Sequence, residues 1–87
     1  MTREQFDNLY KGKAVWCKTI ALAKEFLALA DSVKYVWASG TRLTKRTKWS
    51  ICKQETVYFV GYNITYGSHF GAKLSKYAIV EFTGKGE

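Results

Sequence analysis

Residues 19–32 read Thr19-Ile20-Ala21-Leu22-Ala23-Lys24-Glu25-Phe26-Leu27-Ala28-Leu29-Ala30-Asp31-Ser32. Ala, Leu, Lys and Glu dominate this stretch, and these side chains lose little freedom on entering a helix. Leu22, Phe26, Leu29 and Val33 follow one another at steps of four, three and four, which makes one apolar stripe. Lys24 and Asp31 fall on the other side. Thr19 offers its hydroxyl as an N-cap. The stretch predicts a helix over about residues 19–33 with a single buried face.

Upstream, Ala14-Val15-Trp16-Cys17 is short, β-branched and aromatic, and predicts a strand. Downstream, residues 34–39 predict a second strand centred on Tyr35-Val36-Trp37-Ala38 and closed by Gly40. Strand, helix and strand with short links point to a right-handed βαβ unit, or to a split version with another strand between. Thr56-Val57-Tyr58-Phe59-Val60 reads as a further strand, Gly61-Tyr62-Asn63 as its turn and Ile64-Thr65-Tyr66 as the return. Ser68 is placed to cap a helical turn through Phe70, Ala72 and Leu74, which Gly71 weakens. The last strand is residues 78–82, with Ala78, Val80 and Phe82 on one face. Residues 1–12 form a polar lead-in where Phe6, Leu9 and Tyr10 fit a short docked helix, and the tail 83–87 is expected to fray. The fold class that follows is α+β, one domain over 1–87. It has a small four- to five-stranded sheet, with one main helix packed on one face in a split-βαβ-like arrangement.

With 87 residues, 47% apolar and 16% aromatic, the chain holds the material for one core and is not a disordered tail. It contains no proline, and no linker or internal repeat is visible. No apolar run approaches the roughly 20 residues that cross a bilayer. Arg3, Glu4 and Asp7 interrupt the start where a secretory signal needs an apolar core. A cytoplasmic protein without membrane contact is expected, with Cys17 and Cys52 as two reduced thiols.

Catalytic chemistry finds little to work with. His69 is the one histidine, and neither cysteine sits in a nucleophile motif to pair with it. Two cysteines and one histidine without paired spacing do not resemble a zinc site. The carboxylates are scattered, and the glycines follow no phosphate-cradling pattern. Asn63-Ile64-Thr65 matches a glycosylation acceptor, which carries no meaning in the cytoplasm. The expectation is a protein that is no enzyme, with no cofactor, no metal and no small-molecule substrate.

Charge is the informative property. Fourteen Lys and Arg against seven Asp and Glu leave a formal charge of +7, which favours an anionic partner. The excess concentrates in a segment without acidic residues that carries Arg42, Lys45, Arg46, Lys48 and Lys53. Cations on a loop contact phosphates and release counterions, and Thr41, Thr44 and Thr47 add hydroxyls suited to the same task. Trp49 in its middle is either a packing anchor or a stacking surface for a base. Tyr58, Tyr62 and Tyr66 on the hairpin form a second candidate surface, where tyrosine supplies area and a hydroxyl at low entropic cost. Ordinary sheet packing explains them equally well.

Several short runs resemble small, largely uncharacterised proteins encoded by phages and prophages of Gram-positive bacteria. They are Ala14-Val15-Trp16-Cys17-Lys18-Thr19, Ala23-Lys24-Glu25-Phe26-Leu27, Lys34 to Gly40, Thr56-Val57-Tyr58, Ile64-Thr65-Tyr66-Gly67 and Lys76 to Phe82. The resemblance spans about residues 13–82 and implies a setting, not catalytic residues. In that setting, where anti-CRISPR proteins also arise, the expected function is inhibition of a host protein or nucleoprotein complex in the bacterial cytoplasm. Two features depart from the pattern: Ile20-Ala21-Leu22 stands where acidic residues are usual, and the loop 41–53 is unusually basic. The alternative is a nucleic-acid-binding accessory protein that contacts DNA or RNA through the loop 41–53.

Overall fold

The computed structural model describes residues 1–84. Strands β1 (Lys13–Trp16), β2 (Thr56–Val60), β3 (Ile64–Ser68) and β4 (Ala78–Glu81) form one mixed sheet in the order β3-β2-β1-β4. β2 runs antiparallel to β1 and β3, while β4 runs parallel to β1. The parallel neighbour of β1 is therefore β4, and residues 34–39 do not fill that role. There the chain turns back at Gly40, which takes φ of 91° and donates its N–H to the Trp37 carbonyl at 2.7 Å. So early a reversal leaves room for isolated bridges only, Val36 to Arg42 and Trp37 to Ile64. Ile64 N donates to Val36 O at 2.9 Å and Ala38 N to Ile64 O at 3.1 Å, so the segment lies along the outer edge of β3.

Helix α2 (Ile20–Ser32) begins where the Thr19 hydroxyl accepts from Leu22 N at 3.1 Å. Its buried side chains are Ala23, Phe26, Leu27 and Ala30, whereas Leu22 and Leu29 are only partly covered. The contact line is thus rotated from the Leu22–Leu29 stripe. Small side chains at 23 and 30 let the helix approach an aromatic layer that the larger leucines would hold off. Helix α1 (Arg3–Tyr10) is fixed by a reciprocal cap between Thr2 and Gln5. Phe6 and Tyr10 are buried against Phe26, and Leu9 stays exposed.

Strand alternation sorts the rest. Val15, Tyr58 and Phe82 belong to the large core under α1 and α2. Ala14 and Val57 face the other way and pack with Ala72 of helix α4 (His69–Leu74), which starts where the Ser68 hydroxyl accepts from Gly71 N at 2.9 Å. Gly67 is required on β3, because a Cβ there would come within 2.8 Å of the Phe59 ring. At the end of the chain, Gly84 is buried near Leu22 and Glu25. The remainder of the predicted tail, 85–87, lies outside the described residues. Cys17 and Cys52 are thiols with no bridge between them.

Candidate functional site

Between β2 and the hairpin at residues 36–42 the chain must place a loop of cations, and a few side chains decide where it goes. Leu43, in a single 3₁₀ turn Leu43–Lys45, is fully buried in the large core. The Tyr58 hydroxyl donates to the Thr47 carbonyl from inside that core. Trp49 opens the short helix α3 (Trp49–Cys52), is half-buried against the core, and donates its indole N–H to Cys17 O at 3.4 Å. Its packing role is the one its surroundings describe. Lys48, between these anchors, takes a left-handed backbone with φ of 58°.

This pinning brings Lys45, Arg46 and Lys48 to one wall of a cleft of about 460 Å³. The opposite walls are the hairpin, through Trp37, Ser39 and Thr41, and the start of β3, through Thr65 and Tyr66. Lys48 Nζ stands 5.7 Å from the Tyr66 ring centre, and Tyr66 meets Trp37 edge-on at 6.3 Å. No acidic side chain lines the cleft among the described residues. Trp37 is 5% exposed, and its indole N–H has no hydrogen-bond partner among the described residues. Indole nitrogen can only donate, and buried donors nearly always find an acceptor. This one stands out for that reason.

The other sequence-predicted residues are placed elsewhere. Arg42 leaves the cleft and forks onto Asp31, Nη2 to Oδ2 at 2.6 Å and Nε to Oδ1 at 3.3 Å. That hydrogen bond holds the Asp31 carboxyl below its ordinary pKa and raises that of Arg42. The Asp31 side chain, expected on the solvent side of α2, is consequently only 12% exposed. Lys53 is exposed beyond α3 and does not line the cleft. Tyr62 is 88% exposed at the hairpin turn with Lys11 over its ring, also outside the cleft. Tyr58 pairs across the strands with Tyr66, but its side chain is fully buried, so it cannot be part of a contact surface. Burial raises its pKa well above that of a free tyrosine. Its place is behind the loop.

Trp37, Ser39 and Thr65 line the cleft and are not among the predicted site residues. The strand reading of 34–39 assigned Trp37 to the sheet, and no local signal told that its segment would end beside the basic loop. Thr41 joins the cleft, whereas Thr44 and Thr47 line a smaller hollow beside Lys24. His69 packs its ring on Trp16 with centres 4.4 Å apart. Among the described residues, no three His, Cys, Asp or Glu side chains gather as metal ligands, and no helix is long and apolar enough to cross a membrane. No family model, curated protein or solved structure matches the chain.

Proposed function

We propose that this protein is a non-enzymatic binder that docks its basic cleft on the nucleic-acid-bearing face of a host nucleoprotein complex and blocks it. It would act in the bacterial cytoplasm in the manner of phage-type, anti-CRISPR-like inhibitors. The observation that carries the reading is the gathering of Lys45, Arg46 and Lys48 along a cleft whose described lining holds no acidic group. Like charges held together cost self-repulsion, and an anionic partner offsets it. The hydroxyls of Ser39, Thr41 and Thr65 on the facing walls suit phosphate oxygens.

The test is affinity capture from host lysate, with and without nuclease, using the wild-type chain and the triple variant Lys45→Glu/Arg46→Glu/Lys48→Glu. A defined protein assembly that survives nuclease and is lost with the triple variant is the expected result. An assembly retained by the triple variant overturns the reading. A second reading, direct nucleic-acid binding as an accessory protein, draws on Tyr66, which is 37% exposed beside the cations. Recovery of nucleic acid alone, abolished by nuclease, would replace the first reading with that one.

A further inference from the structure

Resting on the reading of the cleft as an anion-binding site, we propose that it seats one unstacked nucleotide unit, with phosphate on Lys45, Arg46 and Lys48 and the base against Tyr66 above Trp37. Three observations converge on that ligand. The volume of about 460 Å³ lies within the range of pockets that enclose a small ligand. A duplex, which keeps its bases stacked inside, can offer such a concavity only its convex backbone. Next, the cations share their cleft with an exposed aromatic edge, the combination that binds single strands by backbone charge and base stacking. A surface meant for duplex phosphates alone has no use for that ring.

The third observation is the indole N–H of Trp37, a cleft-lining residue, which is buried and has no acceptor among the described residues. A desolvated donor destabilises the free protein. Ring nitrogens and carbonyl oxygens of a base, or an oxygen of its sugar-phosphate, are acceptors that a nucleotide over Trp37 brings with it, and a small turn of the ring would expose the N–H to them. The same chemistry is presented by a single-stranded chain and by a free mononucleotide, and the experiment separates these sources.

The measurement is fluorescence anisotropy with a labelled single-stranded dodecathymidine and a labelled duplex of equal length, with unlabelled thymidine monophosphate as competitor. The single strand is expected to bind about tenfold more tightly than the duplex. Tyr66→Ala should weaken the single strand by about tenfold and leave the duplex unchanged. Trp37→Phe, which keeps an aromatic ring and removes the N–H, should weaken the single strand by about fivefold. If Trp37→Phe does not fold, the exposed Tyr66→Ala decides alone. Competition by the monophosphate at comparable concentration assigns a free nucleotide as ligand, and its failure to compete assigns a strand. Equal affinity for single strand and duplex, or no effect of Tyr66→Ala, overturns the inference. So does a protein that binds none of the three probes. In that last case a nuclease-resistant complex lost with the triple charge reversal leaves the proposed function standing, so the two failures are told apart.

Discussion

Arg42 turns its guanidinium back onto Asp31, with Nη2 2.6 Å from Oδ2, while Lys45, Arg46 and Lys48 line a cleft with no acidic group among its described walls. All four are cations of one short loop. What separates them is Leu43, whose side chain is buried between the two groups and pulls the chain into the core. Before it, the loop continues the hairpin and neutralises its charge on α2. After it, the Tyr58 hydroxyl and Trp49 hold the backbone while the cations face the cleft. The lesson is that a charge run becomes a site only where apolar anchors decide which of its members stay unneutralised.

The strongest way to break this comparison is to remove the divider. Leu43→Ala leaves a cavity in a closely packed core and should destabilise the fold by about 2–5 kcal/mol, read from the midpoint of a urea transition. It should also merge the two halves of the loop in behaviour, with weaker binding of anionic ligands at temperatures where the protein is still folded. Full affinity in a strongly destabilised Leu43→Ala would show that the cations are positioned without it.

Next in size is the triple variant Lys45→Glu/Arg46→Glu/Lys48→Glu. Binding to a polyanion should fall by roughly 100-fold, and the slope of log affinity against log salt should shrink by about 3. The melting temperature should stay close to wild type, since these side chains lie outside the core. A large drop in melting temperature would mean that the cations belong to the fold and not to the site.

Tyr58→Phe has a smaller effect and tests the link between core and cleft. The variant keeps the ring and strands the Thr47 carbonyl, at about 1 kcal/mol. Because Thr47 lies between Arg46 and Lys48, affinity should fall a few-fold although no ligand contact is lost. The pH dependence has a definite sign. Burial raises the Tyr58 pKa above the ordinary value of 10.0, so its contribution is whole below that pH and is lost as pH rises through the folded-state value. Stability should therefore be level up to about pH 10 and decline beyond it, less steeply in Tyr58→Phe. Some decline should persist, because burial and the Asp7 hydrogen bond also raise the pKa of Tyr35.

Much of the fold was legible because local rules acted alone. The Thr19 and Ser68 caps, the hairpin of β2 and β3 and the last strand, which ends at Glu81 and not at residue 82, each follow from neighbouring residues. The segment 34–39 reads as a strand because Tyr35-Val36-Trp37 has strand composition, while the early turn at Gly40 and the pairing of β4 with β1 are set by tertiary packing. For the site, charge identified the loop but gave its cations equal weight. Asp31, distant in sequence, neutralises one of them, and Tyr58 is covered on the internal strand β2 while its same-face partner Tyr66, on the outer strand β3, reaches the cleft. Trp37 enters the site through the pairing of its segment with Ile64, a contact no sequence window contains.

The smallest expected effect belongs to the Arg42–Asp31 pair and sharpens the comparison most finely. Its arginine is largely exposed and screened by solvent, and such pairs contribute little to stability. The Arg42 hydrogen bond depresses the Asp31 pKa, so the pair contributes fully above the ordinary carboxylate value of 3.8 and is lost as pH falls through the folded-state value. Arg42→Gln should therefore move the melting temperature slightly at neutral pH and not at all in strong acid. On binding, Arg42→Gln should cost less than about twofold and Lys48→Gln several-fold, since only the second removes a cation from the cleft. Asp31→Asn should act the other way, releasing Arg42 and raising the formal net charge of +7 by one, with a slight gain in affinity. If Arg42→Gln weakens binding as much as Lys48→Gln, neutralisation by Asp31 does not matter to the partner, and the distinction between the two halves of the loop is lost.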